Sequence, residues 1–132
     1  MTDPVFRSID AVTVPVPDLD AGIAFYADGL GHPLRWRNDA IGQVGLGLAG
    51  SDTEIVLTTR HGYEPNWLVE SAGEAARVVE AAGGRILTPP FDIPVGRVAV
   101  VADPFGNGLV LVDLSKGRYE TDAGGRVAGV RR

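Results

Sequence analysis

A stretch of 20 residues occurs twice in this chain at a fixed spacing, and that repeat limits the folds open to it. VTVPVPDLDAGIAFYADGLG (12–31) is followed 53 residues later by PNWLVESAGEAARVVEAAGG (65–84). Val16 matches Val69, Asp18 matches Ser71, Phe25 matches Val78 and Gly31 matches Gly84. Each copy reads as a short β-run, a helix-capping residue, an amphipathic helix and a glycine stop. Two copies within 132 residues make two like modules sharing one core, because a solenoid needs three or more units.

The first copy starts with a strand over 9–16. Val12, Val14 and Val16 share one face, and Ala11, Thr13 and Pro15 share the other. Pro15 lacks a backbone donor, which predicts pairing on one side only at that point. Asp18 caps a helix in which Leu19, Ile23, Tyr26 and Leu30 recur as one buried stripe. Gly29 and Gly31 end it, and β-runs over 34–38, 40–48 and 54–59 follow. In the second copy a strand over 66–69 leads into Ser71 and Glu74, spaced as a capping box. The helix there carries Ala75, Ala76, Val79 and Ala82 on its apolar face. β-runs over 85–87, 95–102 and 109–114 complete it, the last two joined by the turn-forming run Asp103 to Gly108.

The pattern is βαβββ, twice, an α+β fold. It predicts one domain over 1–114, with modules at 6–60 and 61–114. Residues 115–132 are glycine-rich, without periodicity, and hold five basic residues against two acidic ones. They read as a largely mobile tail, with Tyr119 as its candidate docking residue.

Composition narrows the function classes. The net charge of −5 argues against nucleic acid or an anionic membrane as the main partner. With no cysteine there is no disulfide, thiolate metal site or cysteine nucleophile. MTDPVFRSID has neither the charged nor the apolar region of a signal peptide, and no apolar run reaches transmembrane length. The expectation is a soluble cytoplasmic protein.

The phrases VTVPVPDLDAGIAFYADGLG and VVADPFGNGLVLVDL within a paired βαβββ chain resemble the vicinal-oxygen-chelate superfamily. That group includes glyoxalase I, bleomycin-resistance proteins and extradiol dioxygenases. The resemblance covers residues 9–114 and implies two curved sheets enclosing a cavity, commonly in a homodimer. In metal-dependent members it also implies four ligands, usually His or Glu, from the first and fourth strands of each module. Those positions fall here on Ala11, Val56, Glu64 and Val110. Three of them offer no donor atom, and one carboxylate does not hold a catalytic divalent ion against water. No metal or other cofactor is therefore expected.

The expected cavity wall is Thr13, Val56, Thr58, Glu64, Asn66, Val110 and Val112, an apolar cup with a few hydrogen-bonding groups. Glu64 is the sharpest position, because a carboxylate in such a cup can act as a base. Against that stands a solvated Glu64 at the mouth, near Arg60. His61 and Glu64 form a His-x-x-Glu pair, two donors without a third, and His32 reads as a turn residue. Trp36 and Trp67 are candidates for stacking an aromatic ligand. The alternation places Trp67 under the helix, but in Arg35-Trp36-Arg37 it leaves open whether ring or guanidiniums face inward. Asp103 and Phe105 read as structural, Phe105 by packing. Phe91, Asp92 and Arg97 sit around a segment stiffened by Pro89, Pro90 and Pro94. The leading expectation is a protein of the bleomycin-resistance type that binds a small organic molecule without a metal. The first alternative is a metal-free lyase or isomerase using Glu64, and the second is a metal-dependent glyoxalase-like lyase or dioxygenase.

Overall fold

In the computed structural model, which describes residues 3–132, ten strands and two α-helices follow one another. β1 (Ser8–Pro15) leads to α1 (Leu19–Ile23), which continues as a π-helical turn over Ala24–Gly29. Then come β2 (Leu34–Asn38), β3 (Gln43–Leu46), β4 (Glu54–Thr58) and β5 (Glu64–Leu68). α2 (Ala72–Ala81), β6 (Arg85–Ile93), β7 (Gly96–Ala102) and β8 (Gly108–Asp113) complete the second repeat. β9 (Arg118–Thr121) and β10 (Val127–Arg131) close the chain. No helix among the described residues is long and apolar enough to cross a membrane.

Packing divides the chain into two compact units. The first holds Ala11–Glu64 and Tyr119–Gly129, and the second holds the residues up to Asp10, Pro65–Arg118 and Val130–Arg132. In the first unit the strand order is β2-β3-β4-β1, with β1 parallel to β4. In the second it is β5-β8-β7-β6, with β5 parallel to β8. The repeated βαβββ module is thus present twice.

In the first unit Leu19, Val44, Leu46 and Leu57 form the core between α1 and the strands, with Val14, Val16, Ile23 and Tyr26 packed against them. Asp18 Oδ1 accepts the Ala21 N–H at 2.7 Å, the cap the sequence requires. The helix then widens. Leu30 N–H reaches back five residues to the Phe25 carbonyl at 3.0 Å, the bond of a π-turn. This rotates Leu30 off the expected buried stripe, leaving it 54% exposed. Ala27 packs against the core in addition to Tyr26. Gly31, at φ +86°, makes the left-handed exit.

In the second unit Val69, Ala72, Ala75, Ala76, Ala99, Val101 and Leu111 form the core. Small residues on α2 let it lie close to the strands. Ala82 caps the helix and is exposed, so the apolar face begins at Ala72 instead of ending at Ala82. Half of the expected capping box is present: Ser71 Oγ accepts the Glu74 N–H at 3.2 Å. The Glu74 carboxylate pairs with Arg77 at 2.6 Å. The Ala72 N–H is taken instead by a residue remote in sequence, Asp113, at 2.8 Å.

Asp113 is 2% exposed. Its carboxylate also accepts the Arg97 N–H at 2.9 Å, the Ser115 N–H at 3.2 Å and the Ser115 hydroxyl at 2.7 Å. Burial opposes its charge, but the bonds from Ala72, Ser115 and Arg97 outweigh that and hold the carboxyl below the usual carboxylate range. One buried anion thereby ties the start of α2 to the ends of β7 and β8. Gly96 lies against it so closely that a Cβ there would overlap the Asp113 carbonyl oxygen.

Three further expectations change. β6 runs to Ile93 rather than stopping at Leu87, pairing with β7 through register shifts between Ile86 and Thr88 and between Thr88 and Phe91. The second shift spans Pro89 and Pro90, which have no N–H to give to a ladder. Phe91, Asp92 and Arg97 therefore lie on paired strands. Phe105 is 86% exposed rather than packed. The hairpin around it is held by Asp103, which accepts the Phe105 and Asn107 N–H groups at 2.8 and 2.9 Å. Last, the segment read as a mobile tail is a paired two-stranded sheet. Its turn is built on Asp122, whose Oδ1 accepts the Gly124 and Arg126 N–H groups at 2.8 and 3.0 Å.

Candidate functional site

In the first unit, strand register places four residues in one row across the sheet, on the face away from α1. Trp36 pairs with Gly45, Gly45 with Val56, and Val56 with Thr13. Ala11 and Glu54 are opposite each other one step along. Trp36 turns its ring to this face, where it joins Ala11 and Val56. Arg37 goes to the other side, pairing with Asp20 at 2.8 Å and Asp39 at 2.9 Å. The indole lies against Gly45, where a Cβ would overlap Nε1. The Trp36 N–H donates to Glu54 Oε1 at 2.9 Å. Ala11, Trp36 and Val56 form a buried apolar cluster, and Tyr119 and Val127 from the terminal hairpin pack against it. The Tyr119 ring centre is 4.8 Å from that of Trp36.

Both threonines expected to offer hydroxyls to a ligand are already engaged. Thr13 Oγ1 donates to the Gly62 carbonyl at 2.6 Å, with the Glu64 carbonyl at 3.2 Å. Thr58 Oγ1 accepts the Arg60 and His61 N–H groups at 3.1 and 3.2 Å. Together they hold the connection into β5. His61 is exposed on that connection, and Glu64 is half-buried at the start of β5. His32 is half-buried, with Nδ1 3.1 Å from the Gly47 carbonyl.

The second unit has the corresponding row. Asn66 pairs with Val110, Val110 with Val100, and Val100 with Thr88. Val112 is opposite Leu68 and Val98. Trp67 turns the other way, into the core under α2. It stacks on Phe6 at 5.1 Å, and its buried Nε1 has no partner.

The family model for the "Glyoxalase/Bleomycin resistance protein/Dioxygenase superfamily" matches residues 8–66. An uncharacterised protein of Mycolicibacterium smegmatis is 33% identical over 110 residues, covering 79% of this chain and 91% of that protein. The chain belongs to that superfamily. A putative glyoxylase, CFP32, of Mycobacterium tuberculosis is 34% identical over 95 residues, which take in 66% of this chain and 36% of the relative. Among solved structures, methylmalonyl-CoA epimerase from Mycobacterium tuberculosis superposes with a TM-score of 0.66 at 22% identity, covering 86% of this chain and 91% of that one. A hypothetical protein from Bacillus halodurans C-125 superposes with a TM-score of 0.66 at 16% identity, covering 80% and 93%. At those identities the likeness is one of fold.

The resemblance assigns the superfamily's metal ligands to Ala11, Val56, Glu64 and Val110, and these side chains do not fit a divalent ion. Ala11 and Val56 are hydrocarbon packed against an indole, and Val110 is likewise hydrocarbon. Among the described residues no group of three or more His, Asp or Glu is placed to hold a metal. No step of chemistry is therefore derived through one.

One charged group was missed by the sequence reading, because nothing local marks it. Asp10, on β1, is pushed up by burial, and the Arg118 charge pulls it only part of the way back. A carboxyl raised on folding contributes stability below its unfolded pKa and loses it as pH rises through the folded value. Asp10→Asn is expected to raise the melting temperature at pH 7 and leave it unchanged at pH 3. Thermal unfolding at the two pH values checks this.

Proposed function

We propose that this chain binds a small, largely apolar or aromatic organic molecule on the inner face of the first unit, without a metal. One observation carries the reading. Where the superfamily's ligand positions fall, Ala11 and Val56 join Trp36 in an apolar cluster with an aromatic floor. An apolar surface with a few fixed polar groups, here the Trp36 N–H held by Glu54, suits recognition by burial and stacking.

The test is native mass spectrometry on the folded chain after equilibration with a small-molecule extract. The expected result is one organic adduct per chain, lost in Trp36→Ala. Failure to retain any adduct contradicts the reading. Glu64→Gln separates sequestration from proton-transfer chemistry on the captured molecule. A binding protein keeps its adduct and its affinity, whereas a lyase or isomerase loses turnover by about a hundredfold or more.

A further inference from the structure

The terminal hairpin is an unusual cover. β9 and β10 bond to each other as their own two-stranded sheet, a structure that is marginal in water by itself. Its backbone joins the first unit at an isolated bridge between Arg37 and Arg126, with the Arg37 N–H donating to the Gly125 carbonyl at 2.9 Å. Arg126 also pairs with Asp39, and both side chains are half or more exposed. Solvated contacts of this kind add little holding strength.

The buried part of the attachment is apolar: Tyr119 and Val127 against Ala11, Trp36 and Val56. Tyr119 lies against the indole in a tilted contact, the ring planes 48° apart, and the Asn38 side chain bonds to its hydroxyl. By contrast, the indole beneath is fixed independently of the hairpin. It lies on Gly45, its N–H is held by Glu54, and its strand is paired with β3. The occupant sits on a two-stranded sheet of its own, joined to this face by Tyr119, Val127 and the contacts of Arg37 and Arg126. Elements with few buried contacts open locally before the whole chain unfolds.

We infer that hairpin β9–β10 is a displaceable cover and that Tyr119 is the internal occupant of an aromatic contact site on Trp36, which takes a phenol-like aromatic in its place. The inference rests on the proposal that this face binds a ligand, and it names the ligand's class. A guest gains the ring contact and the Asn38 bond that Tyr119 makes, and its apparent affinity is reduced by the fraction of chains in which the cover is closed.

The probe is p-cresol, the side-chain analogue of tyrosine. Binding is followed at the two indole N–H resonances in a ¹⁵N-labelled chain, with Trp36→Phe assigning them. Tyr119→Ala is expected to bind p-cresol saturably, shifting the Trp36 resonance and sparing that of Trp67. The unaltered chain and Tyr119→Phe, which keeps the ring, bind at least about tenfold more weakly. Equal affinity in all three, or no saturable shift in a Tyr119→Ala chain that keeps its Trp67 resonance, overturns the inference. Hydrogen exchange on the unaltered chain tests it without a substitution. Amides of β9 and β10 are expected to exchange through a local opening while those of β4 require global unfolding, and equal protection overturns it. Cresol binding by Tyr119→Ala without any adduct from the extract upholds the cover and the aromatic site while removing the proposed natural ligand.

Discussion

Replacing Asp113 with alanine is expected to cost about 3–5 kcal/mol of folding stability. The carboxylate collects four donors from Ala72, Arg97 and Ser115, in a site 2% exposed. Alanine strands them together, and each buried donor left unpaired costs about 1–3 kcal/mol, less whatever water recovers. A domain of this size has about 5–15 kcal/mol in total, so the variant sits near the edge of folding. Asp113→Asn keeps the shape and one acceptor oxygen, and should fall between the two. Urea unfolding of the three chains checks the order. The carboxyl is held low in the folded chain, so its contribution is present above the unfolded value near ~3.9 and lost as pH falls through the folded one. The gap between the native chain and Asp113→Asn should shrink below about pH 4. A gap independent of pH would mean that packing, not charge, sets the cost.

Gly45→Ala is the second large effect. Its new Cβ would overlap the Trp36 indole, and the ring cannot slide while Glu54 holds its N–H. Overpacking of this kind costs about 2–3 kcal/mol. The strained ring is also in contact with Tyr119, so amide protection of β9 and β10 should fall together with global stability. Gly50→Ala is the control. A Cβ there meets nothing within 4 Å, and the change should stay within about 0.5 kcal/mol. Equal losses at the two positions would remove the Trp36 platform from the account.

The repeat made the architecture legible because alternation, capping residues and glycine stops are local signals. Asp18, Ser71 and Gly31 each do what their type and position require. The alternation of faces was also legible, since a two-residue period sends Thr13 and Val56 to one side and Val14 and Leu57 to the other. Non-local pairings escaped. Nothing near Asp113 announces that it caps a helix starting 41 residues earlier. The hairpin was hidden by its glycines and arginines, although Asp122-Ala123-Gly124-Gly125 between Tyr119 and Val127 is a turn flanked by strand formers. The Trp36–Tyr119 contact joins residues too far apart in sequence for any local pattern to show.

The most direct measurement is metal uptake by the native chain. Dialysis against zinc, manganese, cobalt and nickel in turn, followed by native mass spectrometry, reads it without assuming a reaction. The expected result is the bare chain mass, or its simple multiple, with no stoichiometric ion retained, because Ala11, Val56 and Val110 offer no donors. One tightly held ion per chain would contradict the metal-free apolar face on which the proposed ligand site depends.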